Sequence, residues 1–330
     1  MSELKEYMTD KETVSIVMAT YNGAKYIRQQ MASILAQTYP LYEIIIQDDG
    51  STDGTIEIIK EYSERYANVH FYMNEAEHGV NGNFYSAIRR ATGKYIAICD
   101  QDDIWHHEKI EKQMAVIGDK LLCSCRSKPF SEENAHVYYD ERMPNMTLLR
   151  MLNSAEIPGH TMLLNREFLD RIPDNCDVEK TGIYDVVFSV TAAAYNSIAF
   201  VDEILVRHRS HQASATYCDY SDSSPCLYNG LRMLVTCVVN YKRIKKLAAP
   251  RYKLYETYLS CLKGEPQVSE GIRMMRLMQS TSFTDYVKFT VFCVHHKNEI
   301  CHTPGKFPKD IIRALLFPVT SVWYKRYLLK

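Results

Sequence analysis

The side chains best suited to chemistry in this chain are carboxylates, and they come in short runs. Asp48-Asp49 and Asp100-Gln101-Asp102-Asp103 each end an apolar stretch, and Thr20-Tyr21-Asn22 ends a third. A carboxylate repels a phosphate, but it holds a divalent cation that can grip one. Mg2+ and Mn2+ typically take one or two protein carboxylates and leave other positions to substrate phosphates and water. Asp100 and Asp102 stand two apart, so on an extended segment both point to the same side. Any one of the three runs would serve as a solvated turn; three in equivalent places call for a common ligand. Dinucleotide binding is disfavoured. Tyr21-Asn22-Gly23-Ala24-Lys25-Tyr26 occupies the place of a Gly-x-Gly-x-x-Gly fingerprint, and no P-loop lysine motif is present.

The runs need a scaffold that brings them together. Apolar, β-branched stretches at residues 13–19, 43–47, 69–73 and 95–99 predict buried strands. Between them, residues 24–38, 55–66 and 83–91 carry helical periodicity; in the first, Ile27, Met31, Ile34 and Leu35 share a face and Pro40 ends the pattern. Such alternation predicts right-handed βαβ units and a mainly parallel sheet covered on both faces. Ligands of such sheets bind beyond the carboxyl ends of the strands, where the polar runs fall. After Trp105 the pattern loosens. It predicts a helix over 106–117, a strand over 121–125, a polar loop over 128–142, a strand near 161–164, a helix over 184–195 and a strand over 198–206. From about Leu227 the signal is helical. A Ser/Asp/Pro cluster at 220–226 sets the expected division: a tail over 1–12, a catalytic domain over 13–220 and a basic helical region over 221–330.

Composition narrows the class. Hydrophobic residues make up 46% and charged ones 24%, which excludes disorder as the main state. No stretch approaches the roughly 20 apolar residues needed to span a bilayer, and the polar first dozen residues predict no export. The cysteines sit in apolar runs (Cys99, Cys123, Cys125, Cys237, Cys293), which predicts reduced thiols and a cytoplasmic chain. The net charge of −1 conceals an asymmetry. From Tyr241 onward there are 17 basic and 6 acidic side chains, against 22 and 34 in the first 240 residues.

Three segments in order, Val14-Ser15-Ile16-Val17-Met18-Ala19-Thr20-Tyr21-Asn22, Gln47-Asp48-Asp49-Gly50-Ser51-Thr52-Asp53-Gly54-Thr55 and Asp100-Gln101-Asp102-Asp103-Ile104-Trp105, resemble the family 2 glycosyltransferases, in particular a rhamnosyltransferase-like bacterial branch. The resemblance covers roughly residues 13–210. It implies the α/β GT-A fold with a C-terminal helical region, a nucleotide-diphospho-sugar donor, Mn2+ or Mg2+, and inversion at the anomeric carbon. It implies that Thr20, Tyr21 and Asn22 surround the donor's base and ribose, that Asp49 accepts from the base imide with Asp48 as second choice, and that Asp100 is the ribose-side acid of a DxD motif. Asp102 becomes the principal metal ligand, joined by Asp100 and by His211, while Arg209 supports the donor's diphosphate. Asp103 is either part of the site or the N-cap of the next helix.

The same resemblance puts the catalytic base at Asp185, although Tyr184 and Val186-Val187 depart from the family's usual acid or His before it and aromatics after it. A helix dipole alone would also favour an Asp there. Gly159 and His160 resemble the acceptor-side loop, with His160 equally readable as a surface residue. His208 and His211 have zinc-like spacing but no further ligands at matching intervals. The expected activity is metal-dependent, inverting transfer from a UDP- or dTDP-sugar to a hydroxyl of a glycan or lipid-linked glycan, in polysaccharide biosynthesis. The alternative is an inactive nucleotide-sugar-binding scaffold. A nucleotidyltransferase would need a Gly- and Arg/Lys-rich loop after the first strand, which is missing. The basic clusters Lys242-Arg243-Ile244-Lys245-Lys246 and Trp323-Tyr324-Lys325-Arg326-Tyr327, with the apolar face of 311–316 beside Arg313, predict peripheral contact with the inner membrane surface. No nucleic-acid motif accompanies them, so no nucleic-acid partner is expected.

Overall fold

The computed structural model describes residues 11–133, 137–154, 157–173, 183–211, 227–262, 265–302 and 307–321. The predicted boundary at 220–226, the cluster around Trp323 and most of the predicted N-terminal tail lie outside these residues. Eight strands form one sheet: β1 (Val14–Thr20), β2 (Glu43–Asp48), β3 (Val69–Met73), β4 (Tyr95–Cys99), β5 (Ile104–Trp105), β6 (Leu122–Phe130), β7 (Leu163–Asn165) and β8 (Ile198–Arg209), in the order β3-β2-β1-β4-β7-β6-β8-β5. The first four are mutually parallel. Their runs are apolar on both faces because both faces are covered. Val17, Ile45, Ile96 and Ile98 enter one core, while Ile16, Met18, Ile44, Ile46 and Ala97 enter the other.

Beyond β4 the sheet is mixed. β7 runs antiparallel to β4 and β6, β5 antiparallel to β8, and β6 parallel to β8. The strand expected near 161–164 is present as β7, moved to Leu163–Asn165 because Gly159–Thr161 form a 3-10 turn, while the two residues of β5 carry no periodicity and are a strand only through long-range pairing. The same pairing extends β6 into the segment predicted as loop: Ser127 to Phe130 lie in register with Val206 to Arg209.

Helices α1 (Ile27–Leu35), α2 (Thr55–Arg65), α3 (Val80–Arg90) and α4 (Lys109–Ile117) follow the strands. Ile27, Met31 and Ile34 of α1 are buried on one sheet face, and Phe84, Ala87 and Ile88 of α3 on the other. After α5 (Leu148–Asn153) and a 3-10 turn (Gly159–Thr161) comes α6 (Tyr184–Ala194), buried on nearly every side. That is why α6 reads as a continuous apolar run rather than a stripe.

The C-terminal region comprises α7 (Leu227–Val239), α8 (Tyr241–Cys261), α9 (Pro266–Gln279), α10 (Phe283–His295), α11 (Lys297–Ile300) and α12 (Lys309–Thr320). Tyr252, Leu259, Met274, Phe289 and Phe317 share one core with Leu152 of α5 and Phe188 of α6. The Gln267 amide donates to the Ala194 carbonyl (2.6 Å), tying α9 to the end of α6. Of the basic run at 242–246, Lys245 turns inward, donating to the Leu277 carbonyl (3.0 Å) and that of Ser280 at the end of α9.

Candidate active site

The carboxyl ends of three adjacent parallel strands, β2, β1 and β4, deliver the polar runs to one rim. The loops after β1 and β2 are laced together. Asn22, at a left-handed φ of 47°, donates its N–H to Ser51 Oγ (2.8 Å) and accepts from the Thr52 N–H (2.9 Å). Gly23 N–H donates to Thr55 Oγ1 (2.8 Å) and Ala24 N–H to Asp53 (3.0 Å). Asp48 is fully buried; it accepts from the Gly50 and Ser51 N–H groups, from Ser51 Oγ and from Thr20 Oγ1 (2.6–3.0 Å).

Thr20, Asn22 and Asp48 therefore build the rim, where contacts to a donor were expected of them. The reason is local: the first turn after each strand leaves backbone donors that nearby Asp, Asn and Thr side chains satisfy. Tyr21 is 57% exposed, and Gln101 clasps its backbone with two bonds of 3.0 Å, one to the N–H and one to the carbonyl. A Cβ on Gly23 would lie 2.2 Å from Gln101 Oε1, so the clasp requires glycine. Neither side of that contact carries a sequence signal. Asp49 accepts from Asn74 Nδ2 (2.7 Å) and the Gly79 N–H (2.7 Å) and faces His78 Nδ1 (2.8 Å), closing the segment between β3 and α3 over the rim.

The run after β4 meets the end of β8. Asp102 Oδ2 and His211 Nε2 are 2.8 Å apart although 109 positions separate them in the chain. Burial raises the Asp102 pKa, and the neighbouring charges of Asp100 and Asp103 raise it further. Three crowded carboxylates with an imidazole beside them make a donor set of hard oxygens and a borderline nitrogen, which suits Mn2+ or Mg2+ and leaves positions open. Of the expected ligands, Asp102 and His211 stand together, while Asp100 is turned to His160 (3.3 Å) and belongs to the neighbouring group described next.

Asp103 does not cap a helix, since Glu108 holds that position before α4. It is fully buried and accepts from the Arg209 N–H (3.0 Å) and His208 Nδ1 (3.0 Å). His160 is buried rather than on the surface, bonded to Ser127 Oγ (2.8 Å), 3.3 Å from Asp100 and stacked on His208 at 4.6 Å. Ligand atoms of Asp100, Asp103, His160 and His208 all lie within 4.8 Å of one another, and Asp103 Oδ2 is buried without a hydrogen bond. This quartet is a second group able to hold a cation, but with four protein ligands it resembles a closed site. Burial opposes the charge on His208, yet Asp103 outweighs it and lifts the imidazole to about 9. Burial likewise acts to raise Asp103, but His160, His208 and the Arg209 N–H bring it below the ordinary value.

Arg209 is not free to meet a diphosphate. It is 1% exposed, held between the Tyr26 and Phe130 rings, paired with Glu132 and Gln29, and donates Nε to the Asp102 carbonyl (2.8 Å). Its position is that of a brace for Asp102, set by the β6–β8 pairing that places it opposite Phe130.

Asp185 opens α6. Its carboxylate accepts from the Val186 N–H (2.7 Å). Burial pushes it up to about 6, Asp100 adds to the shift, and the Val186 and Gly159 N–H groups and His160 oppose it. Gly159, at the 3-10 turn, lies against the buried Tyr184 ring: a Cβ there would stand 2.0 Å from Tyr184 Oη. Gly159→Ala is therefore expected to displace Tyr184 and its neighbour Asp185, costing about 1–3 kcal/mol by overpacking. Thermal unfolding together with initial rates would check this; an unchanged midpoint and rate would show that the turn yields freely.

Residues 15–173 match the model of glycosyl transferase family 2. A Bacillus subtilis protein, TuaG, provisionally named a teichuronic acid biosynthesis glycosyltransferase, is 38% identical over 110 residues, 33% of this chain and 44% of that protein. An uncharacterized glycosyltransferase of Rickettsia prowazekii is 28% identical over 215 residues, 62% of this chain and 65% of that protein. The chain thus spans less than two thirds of the length of these relatives. Among solved structures, Staphylococcus aureus TarS 1-349 with UDP-GlcNAc superposes with a TM-score of 0.55 at 15% identity, covering 96% of this chain and 91% of that one. At that identity the likeness is one of fold.

Proposed function

From the match of residues 15–173 to the model of glycosyl transferase family 2, we propose that the chain is a metal-dependent, inverting glycosyltransferase that moves a sugar from a UDP- or dTDP-linked donor to a hydroxyl of a glycan or lipid-linked glycan. The observation that carries this reading is the approach of Asp185, a carboxyl lifted to about 6, to Asp100 and His160 at the rim. TarS was crystallised with UDP and with UDP-GlcNAc, and TuaG is named for a polysaccharide; both support the donor and acceptor classes.

Each side chain then has a task. Tyr21, clasped by Gln101, offers an exposed ring to a nucleobase. Asp49 supports the base side of the groove. Asp100, Asp102 and His211 would hold Mn2+ or Mg2+, which supplies charge neutralisation to the departing diphosphate. Arg209 fixes the Asp102 backbone from below. Asp185, ionised above pH about 6, takes the acceptor hydroxyl's proton as its oxygen attacks the anomeric carbon from the face opposite the diphosphate. The buried Gly159–His160 turn packs against Tyr184 and so supports Asp185 from the acceptor side.

Incubation with UDP-, dTDP- and GDP-sugars, deoxythymidine-diphospho-rhamnose among them, tests the reading through Mn2+-dependent nucleotide release and thermal stabilisation. Release from a UDP- or dTDP-sugar is the expected result. Stabilisation by a donor without turnover toward any glycan acceptor would mark an inactive binding protein. No response to any nucleotide-sugar would end the proposal.

A further inference from the structure

Far from the rim, the C-terminal helices leave apolar rows uncovered. On α10, Phe283, Val287 and Val291 recur every fourth residue and are 81%, 45% and 65% exposed. On α12, Ile312, Leu315 and Leu316 are exposed, and so are Val235, Val238 and Val239 on α7. The opposite sides of α10 and α12 are buried: Phe289, Phe292, Ala314 and Phe317 enter the core shared with α6. α12 packs against both α10 and α7. The exposed rows therefore look outward from one helical layer. A soluble surface rarely carries so many large apolar side chains together without a partner.

The exposed charged side chains of α7, α8 and α12 are basic. Arg232, Lys242, Arg243, Lys246, Lys309 and Arg313 are exposed. The acidic side chains of α10 and α12 are engaged: Asp285 by Ser280 Oγ (2.6 Å) and Asp310 by Lys297 (2.9 Å). From Tyr241 onward, basic residues exceed acidic ones by 17 to 6.

We propose that the outer face of α7, α10 and α12 docks on an anionic lipid bilayer surface. The valine, leucine and phenylalanine rows enter the headgroup–acyl boundary, and the arginines and lysines meet lipid phosphates. No helix among the described residues is long and apolar enough to cross a membrane, so the layer lies in the plane of the interface. A nucleic acid would satisfy the cations but leave Phe283 and Val291 in water. A second copy of the chain would set one basic face against another. The proposal goes beyond sugar transfer, and its test needs no enzymatic activity.

The test is flotation of the full chain with vesicles of phosphatidylcholine containing about one third phosphatidylglycerol, at low and high salt, beside vesicles of pure phosphatidylcholine. The wild type floats with the anionic vesicles and partitions about tenfold less onto the neutral ones or at high salt. The double variant Phe283→Asp, Val291→Asp loses about tenfold in partition with an unchanged unfolding midpoint, since both side chains are exposed. Wild-type protein that stays unbound with anionic vesicles overturns the proposal, as does a variant that binds equally well. Dimerisation abolished by the double variant, without vesicle binding, assigns the face to a second copy. Binding of an oligonucleotide by both forms, without vesicle binding, assigns the cations to nucleic acid.

Discussion

Asp185→Asn is expected to lower turnover about a thousandfold, the usual contribution of a general base, while donor binding stays within about twofold and the folded protein becomes more stable at neutral pH. These effects arise from one environment. Burial at the head of α6, with Asp100 nearby, holds the carboxyl at about 6 against an ordinary value of 3.8. A raised acid binds its proton more tightly folded than unfolded. The ionised form therefore destabilises the fold: the penalty is absent below pH about 4, grows between the two values and is complete above about 6. An amide keeps the shape and the bond to the Val186 N–H without the charge, gaining on the order of 2 kcal/mol at pH 7. Unfolding midpoints of the two proteins should converge at low pH and diverge at neutrality. The wild-type rate should carry an acid limb with its inflection at or below pH about 6, which the variant lacks. Retained turnover, or a large loss of donor affinity, would remove Asp185 from the base role.

Asp102→Asn is the second large effect. The Asp102 carboxyl is raised by burial and by the charges of Asp100 and Asp103, so its neutral replacement leaves the metal-free protein as stable as before or more so. What it loses is the response to Mn2+. A cation at a hundred times its Kd stabilises the fold that holds it by about 2.7 kcal/mol, and that gain should vanish in the variant together with nucleotide release. Asp103→Asn is the control. Its carboxylate, bonded to His208 and the Arg209 N–H, braces the end of β8, so this variant should lower the midpoint yet keep the Mn2+ shift. The opposite pattern, with Asp103→Asn abolishing the shift and Asp102→Asn preserving it, would move the ion to the Asp100, Asp103, His160, His208 quartet.

Much of the scaffold was legible in the sequence because burial is written in periodicity. The runs that become β1, β2 and β4 are mostly apolar and buried at nearly every position since both their faces are covered, and their polar ends mark the rim. The Asp102–His211 approach was implied by motif resemblance alone; only the β6–β8–β5 pairing brings the two side chains together. β7 was legible as the strand expected near 161–164, whereas β5 escaped notice because two residues form a strand only where a partner offers hydrogen bonds.

Residue types at the rim fixed what chemistry was available, but not which way each side chain turns. Asp48 and Asp49 are chemically alike and adjacent, yet one is consumed by the turn it sits in and the other faces the segment before α3. Arg209 has the charge to meet a diphosphate, and the inward face of β8 spends it on Gln29, Glu132 and the Asp102 carbonyl. Composition likewise disclosed a basic C-terminal region, whereas the direction of Val287, Val291 and Ile312 depended on how α10 and α12 pack. Local sequence records how much of each element must be covered. What covers it is set by contacts between residues far apart in the chain, and those exist only once the chain has folded.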